Sequence, residues 1–376
     1  MDENNSILDK ILESKEIEEI EQFRPQEIVE TLLKYLTSRE KDVIRRRFGL
    51  SGNKKETLEK IGDSYKVTRE RIRQVENIAI KKLKKLKQFN EIVGPFVQTL
   101  TSVLKKHGGI MNEEILLEEL LKLTGDTNES RQCVLFLTER IFKKEFIYQK
   151  ESSSYHASWR LPQTNMSIIE ATIEEIERYF VERKKPGKVG VVIEEFCLRP
   201  FFNQHSYQLS EESIVSYIDV SKKIAKNPFD EYGLQKWGNV APKRMNDKIF
   251  LVLKKHGKPL HFNKITEMIN QLKFDERPAY PPTVHNELIL NSEYILVGRG
   301  IYALREWGYK PGVVADVISD ILKSNDHPLT RDEIVEQVLK ERMVKKNTIF
   351  LALTDKHKFQ KKSDGTYTTV EPTKEI

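Results

Sequence analysis

The chain has 376 residues, of which 32% are charged and 38% hydrophobic, a composition typical of soluble globular proteins with several domains. No run of about 18 apolar residues occurs, which predicts no membrane-spanning helix, and the acidic start does not resemble a signal peptide. The two cysteines, Cys133 and Cys197, lie far apart, so we expect reduced thiols and no zinc site.

The formal net charge of +6 is distributed unevenly along the chain. Residues 1–30 carry a net charge of −7, residues 31–90 carry +11, and residues 91–376 carry only +2. Because a concentrated excess of Lys and Arg is the electrostatic footprint of nucleic-acid binding, we expect that activity at residues 31–90.

The first 30 residues are predicted to form an acidic N-terminal helix or arm. Their isoleucines recur at loosely helical intervals, and Pro25 closes the segment. The arm is expected to pack on the basic segment that follows it. A second hypothesis is that its negative charge also shields that segment when nucleic acid is absent.

Residues 31–90 have the pattern of a helix-turn-helix. Thr57 and Thr68 can each cap a helix, and residues 65–67 form the turn between them. In the second helix one apolar stripe recurs at helical spacing. The stripe consists of Ile72, Val75, Ala79, Leu83 and Leu86.

The opposite face of that helix carries side chains suited to reading DNA bases. Arg can bind a guanine edge with two hydrogen bonds, Gln and Asn can bind adenine, and Glu can accept from cytosine. The predicted base-reading residues are Arg69, Glu70, Arg73, Gln74 and Asn77. Thr68 and the lysines that follow are expected to contact phosphates, namely Lys81, Lys82 and Lys85.

The segments LTSRE, VIRRRFGL, TLEKIG and VTRERIRQVE resemble region 4 of the primary bacterial sigma factors. The resemblance covers about residues 32–90. It implies binding of double-stranded DNA at the −35 promoter element and contact with the β flap of the RNA polymerase core. By position it also implies phosphate contacts from Arg39, Arg45, Arg47 and Thr57. Asp42 departs from the family, in which a basic residue is common there.

An internal repeat follows residue 90. The sequence VLKKHG occurs at 103–108 and again at 252–257, and each copy precedes an acidic-apolar helix and a Tyr-containing hairpin signal. Three helices and a hairpin in about 70 residues predict a winged-helix-like unit. The predicted units are 91–163, 164–240, 241–308 and 309–371, of which the second is the most divergent. Trp159, Trp237 and Trp307 are expected to share one repeat position and to anchor the core.

The third unit contains VLKKHGKPLHFNKITEMI and NSEYILVGRGIYALREWG, which resemble the HARE-HTH domain of the RNA polymerase delta subunit. This resemblance implies either DNA contact or protein binding and leaves both open. Gly298-Arg299-Gly300 is predicted to be the wing tip. At that position Arg299 either touches a DNA minor groove or is only structural.

The sequence has no metal-ligand spacing and no catalytic constellation, so we expect no enzyme activity, cofactor, metal or small-molecule substrate. No aromatic-rich region 2 is recognised, so a complete sigma factor is not expected. The predicted fold is mainly α, a helix-turn-helix followed by tandem winged-helix-like units with small β hairpins. The predicted function is sequence-specific DNA binding in bacterial transcription initiation, in the cytoplasm and at the nucleoid. Two alternatives stay open: a regulator that competes for the β flap, and an interaction scaffold of a DNA-modification or defence system.

Overall fold

The computed structural model describes residues 23–122, 124–309 and 312–370. The predicted acidic arm therefore lies outside the described residues up to residue 22. Helices dominate, and the strands form only small antiparallel sheets. The predicted fold class, mainly α with a helix-turn-helix and small β hairpins, is confirmed. Among the described helices, none is long and apolar enough to cross a membrane.

The chain divides into two compact units. The first comprises the residues up to Ala225 together with Glu231–Gln235, and the second comprises Lys226–Asp230 and the residues from Lys236 onward. The first unit begins with four helices: α1 Pro25–Leu33, α2 Ser38–Phe48, α3 Leu58–Tyr65 and α4 Arg69–Lys84.

Three more helices and a three-stranded sheet follow directly. They are α5 Phe89–Lys106, β1 Ile110–Asn112, α6 Glu113–Leu121, α7 Asn128–Phe136, β2 Ile147–Gln149 and β3 Ser158–Arg160. A π-helical turn, Leu137–Ile141, extends α7. Buried residues from α1, α2 and α4 form one continuous hydrophobic core with residues of this segment. For example, the rings of Phe48 and Phe136 lie 4.9 Å apart.

The same order of elements, helix, strand, two helices and two strands, occurs again in residues 166–234. The elements are α8 Met166–Arg183, β4 Gly187–Lys188, α9 Val189–Cys197, a short α10 Pro200–His205, α11 Glu211–Val220, β5 Ile224–Lys226 and β6 Glu231–Leu234. The third strand lies centrally in both sheets, which have the orders β1-β3-β2 and β4-β6-β5.

The second compact unit contains this order twice more. The elements are α12 Met245–His256, β7 Leu260–His261, α13 Phe262–Leu272, α14 Pro281–Leu290, β8 Tyr294–Gly298 and β9 Ile301–Leu304, then α15 Val314–Ser324, α16 Arg331–Glu341, α17 Lys346–Ala352, β10 Phe359–Lys361 and β11 Tyr367–Thr369. In the last repeat a single bridge between Leu329 and Tyr367 replaces the first strand.

A buried arginine joins the last two repeats. The Arg342 guanidinium donates hydrogen bonds to the carbonyl oxygens of Leu296 and Gly312, and the side chain is 97% buried. The next residue extends the contact, because the Met343 N–H donates to the Val297 carbonyl oxygen at 3.1 Å. Burial lowers the pKa of Arg342. The residues that follow α16 therefore supply hydrogen-bond donors to two carbonyl oxygens of β8, a strand at the edge of its sheet.

The prediction that the three tryptophans share one repeat position is wrong. Trp159 lies within β3 and faces β1, and the equivalent positions opposite β4 and β7 are occupied by Tyr232 and Tyr302. Trp237 and Trp307 instead follow the ends of their strands. Trp159 is buried, as expected of a core anchor.

Candidate nucleic-acid interface

Each helix of the helix-turn-helix, α3 and α4, begins at one of the two predicted threonine caps. Thr57 Oγ1 accepts a hydrogen bond from the Lys60 N–H, and Thr68 Oγ1 accepts one from the Arg71 N–H, both at 3.2 Å. Between the helices Lys66 adopts a left-handed conformation with φ of 54°. Each cap satisfies an N–H that would otherwise have no helical partner, so both helix starts are fixed locally.

Gly62 allows the turn to close tightly. A Cβ atom at this position would lie 2.7 Å from the Val67 carbonyl oxygen, which is backbone and cannot move aside freely. We expect Gly62→Ala to destabilise the first compact unit by about 1–3 kcal/mol because this contact must open. Gly190, also in a helix of the first compact unit, has open space around it, so Gly190→Ala is the matched control and should be neutral or slightly stabilising. Urea denaturation of both variants would measure the difference; equal stabilities would contradict the close approach.

The inward face of α4 agrees with the predicted stripe. Ile72, Ala79 and Leu83 are fully buried, whereas Val75 and Leu86 are partly buried. Ile72 packs in a small cluster with residues of α2 and α3. The other side of the helix is therefore the one that faces solvent.

The predicted base-reading residues lie together on that outer side. Arg69, Glu70, Arg73 and Gln74 are exposed, and Asn77 is half-buried. Arg73 donates from Nε and Nη2 to the two oxygens of the Glu70 carboxylate, at 2.8 and 2.7 Å. These hydrogen bonds hold the pKa of Glu70 below its usual value. Without DNA, the Arg73 guanidinium and the Glu70 carboxylate therefore serve as each other's hydrogen-bond partners.

The predicted phosphate contacts fall into two groups. Lys81 and Lys85 are exposed, and Arg39 is exposed with its guanidinium carbon 4.9 Å from the centroid of the Tyr65 ring. Arg45 and Arg47 are instead engaged within the protein. Arg45 Nη2 donates to the Glu30 carboxylate at 2.6 and 2.7 Å, and Arg47 Nη1 donates to the Glu56 carbonyl oxygen at 3.1 Å. Both would have to exchange these partners before binding a phosphate.

Lys82 also has a partner inside the protein. Its ammonium group lies 2.5 Å from the carboxylate of Glu40, which is largely buried and accepts from the Thr37 N–H at 2.9 Å. Burial alone would raise the pKa of Glu40, but hydrogen bonds from Lys82 and Thr37 outweigh it and hold the pKa below the ordinary 4.5. Lys82 therefore ties the end of α4 to the start of α2.

A pH-dependent loss of stability follows from this ion pair. Because the folded-state pKa of Glu40 is lowered, its contribution is present above about pH 4.5 and is lost as the pH falls through the lowered pKa. We expect Glu40→Gln to cost about 1 kcal/mol at neutral pH and less in acid. Denaturation at a series of pH values would measure this, with the exposed Glu59→Gln as control. A constant difference between Glu40→Gln and wild type would contradict it.

Two acidic residues have roles that sequence reasoning missed. Glu76 is only 3% exposed, and its carboxylate pairs with the Arg140 guanidinium, while Arg47 Nε lies 3.8 Å away. Asp42, the departure from the family pattern, accepts from the Tyr65 hydroxyl at 2.8 Å. Helical spacing places residue 76 beside Ile72, so its inward position could have been anticipated, although its partner could not.

The remaining predicted contact is Arg299. It is exposed in the tight connection between β8 and β9, next to Gly300 with φ of 70°. The predicted hairpin is present.

Across residues 23–122, 124–309 and 312–370, no group of three or more His, Cys, Asp or Glu side chains could hold a metal ion.

Residues 32–85 match the family model for Sigma-70, region 4. The RNA polymerase sigma factor SigA of Lactococcus lactis subsp. cremoris is 51% identical over 59 residues, which are 16% of this chain and 16% of that protein. SigA of Microcystis aeruginosa is 49% identical over 59 residues, covering 16% and 14%. SigA of a Bacillus species is 47% identical over 72 residues, covering 18% and 19%. The chain thus spans less than a fifth of these relatives, and the match supports a DNA-binding, transcription-related role for residues 32–85.

Proposed function

We propose that this chain, with its Sigma-70 region 4 match, is a sigma-factor-like, sequence-specific DNA-binding protein that acts in bacterial transcription initiation. The observation that carries the proposal is the exposed cluster of Arg69, Arg73 and Gln74 near the capped start of α4, on a helix whose opposite face is buried. A helix presented in this way fits the DNA major groove.

In the proposed complex α4 lies in the major groove of a −35-like element. Arg73 leaves Glu70 and donates two hydrogen bonds to a guanine, which frees the Glu70 carboxylate to accept from a neighbouring cytosine. Gln74 and Asn77 supply amide groups for adenine. Because the Glu70–Arg73 pair is solvent-exposed, separating it costs little compared with the gain from paired base contacts.

The phosphates are held by cationic groups around the recognition helix. Lys81, Lys85 and Arg39 are exposed and ready for this role, and Thr57 and Thr68 place helix N-termini towards the backbone. The proposed second partner is RNA polymerase core through its β flap. The later repeats, proposed to be winged helices of the HARE-HTH type, would add contacts to this assembly.

The test compares full-length protein with an Arg69/Arg73/Gln74→Ala variant. Lys143/Lys144→Ala removes the same number of positive charges from exposed positions of the same compact unit and is the matched control. Binding to a −35-like duplex, binding to a scrambled duplex and retention on purified RNA polymerase core would be measured. We expect the triple variant alone to lose the preference for the −35-like duplex.

Retention of the wild-type protein on core together with this loss would support a sigma-like initiation role. Retention on core with no duplex preference would instead favour a regulator that competes for the β flap. Specific DNA binding without retention on core would contradict the polymerase contact and leave a free-standing regulator. If the protein showed neither a duplex preference nor retention on core, the proposal would be overturned and the interaction scaffold would be favoured.

A further inference from the structure

The last repeat has a strongly divided charge that its near-neutral total conceals. Residues 312–341 contain seven acidic and three basic side chains, whereas residues 342–370 contain seven basic and two acidic ones. The two halves therefore differ in net charge, −4 against +5. Where an excess of one sign of charge lies on the surface, it attracts a partner of the opposite charge.

The basic half forms α17 and the β10–β11 hairpin. Lys345 and Lys346 stand exposed where α17 begins. One face of α17 is anchored by the fully buried Ile349, and Asn347 and Thr348 are exposed on the other side. The helix thus presents lysines followed by two short polar side chains to solvent.

The hairpin adds further exposed lysines. Lys361 and Lys362 lie at the end of β10, and Lys361 Nζ is 6.0 Å from the centroid of the Tyr367 ring on the facing strand. Not every basic side chain of this half is available, because Lys358 pairs with Asp316 at 2.9 Å and Arg342 is buried. Five exposed lysines therefore remain in this half: Lys345 and Lys346 at the start of α17, Lys356 after it, and Lys361 and Lys362 at the end of β10.

The equivalent helices of the two preceding repeats lack this character. Helix α11 has Glu211 and Glu212 in its first turn, which would repel phosphates. Helix α14 exposes uncharged residues, including Ile289 and Leu290. A third helix that begins with exposed lysines is therefore not a general consequence of the repeated fold.

We propose that α17 and the β10–β11 hairpin form a second binding surface for duplex DNA. Lys345, Lys346, Lys361 and Lys362 neutralise backbone phosphates, and α17 directs Asn347 and Thr348 towards a groove. Such contacts supply affinity with little sequence preference, because phosphates are the same at every base pair. This surface acts independently of the helix-turn-helix and goes beyond the proposed function.

The test uses the full chain with Lys345/Lys346/Lys361/Lys362→Gln. Affinity for a 40-base-pair duplex of arbitrary sequence would be measured over a range of salt concentrations, in both the wild-type and the Arg69/Arg73/Gln74→Ala background. Each lost phosphate contact lowers the slope of log affinity against log salt by about 0.9, so we expect the loss of four contacts to decrease it by about 3.6. The expected decrease is the same in the two backgrounds.

The matched control is Lys236/Lys243/Lys258/Lys323→Gln, which removes four exposed lysines from the same compact unit. We expect it to retain the wild-type slope. Equal salt slopes for the two quadruple variants would overturn the inference. It would also be overturned if Lys345/Lys346/Lys361/Lys362→Gln bound DNA like wild type but was retained less on RNA polymerase core, because the partner would then be an acidic protein. The proposed function is judged separately, by preference for the −35-like duplex, so the two can fail independently.

Discussion

Replacing Phe136 with Ala is expected to destabilise the helix-turn-helix, although residue 136 lies about 50 residues beyond it. The Phe136 side chain is 99% buried, and its ring packs 4.9 Å from the ring of Phe48 in α2. Removing a buried aromatic ring costs about 3–5 kcal/mol through lost transfer energy and the cavity left behind. Because α2 and α7 share one hydrophobic core, the loss should reach both segments.

Hydrogen–deuterium exchange would measure this effect element by element. We expect faster exchange in α2 and α4 as well as in α7, since segments that unfold together lose protection together. Leu198 is 82% exposed in the same compact unit, so Leu198→Ala serves as control and should change stability by no more than about 0.5 kcal/mol. Faster exchange confined to α7 would show that the helix-turn-helix folds independently.

The parts of the interface that depend on local chemistry could be predicted from the sequence. The caps at Thr57 and Thr68 and the buried stripe through Ile72, Ala79 and Leu83 depend only on neighbours within about four residues. Such signals are present in any short window of the chain. For the same reason the order of helices and hairpins in the repeats could also be anticipated.

What could not be predicted involves partners that are distant in the sequence. Glu76 has the residue type of a solvent-exposed helix face, and only the folded chain brings Arg140, 64 residues away, to its carboxylate. The Lys82–Glu40 pair spans 42 residues in the same way. Charge alone indicates that a side chain needs a counterion, but DNA phosphates and an internal carboxylate satisfy that need equally well.

The tryptophans illustrate a second limit. Trp159 and Trp307 follow similar Tyr-containing signals, so sequence spacing placed them in one position. Strand register separates them, because Trp159 faces β1 in the position that Tyr302 occupies opposite β7. A shift of a few residues is small against the length of a repeat, yet it decides which side chain enters the core.

Arg73→Ala is expected to weaken binding to the proposed −35-like duplex by about 1–3 kcal/mol and to relax base preference at one position. The substitution removes the bidentate donor and leaves the Glu70 carboxylate without its partner beside the DNA. Lys81→Ala is the comparison, because Lys81 is exposed on the same helix and is proposed to contact only phosphate. It should weaken binding to all duplexes evenly and reduce the salt slope by about 1.

Lys82 would be a poor choice for that comparison. Its ammonium group neutralises Glu40 in the free protein, so Lys82→Ala would combine lost DNA affinity with lost stability. Competition binding against duplexes changed one base pair at a time, at two salt concentrations, separates direct readout from charge neutralisation. If Arg73→Ala and Lys81→Ala reduced affinity for every duplex equally, Arg73 would be a phosphate contact and α4 would not read bases through it.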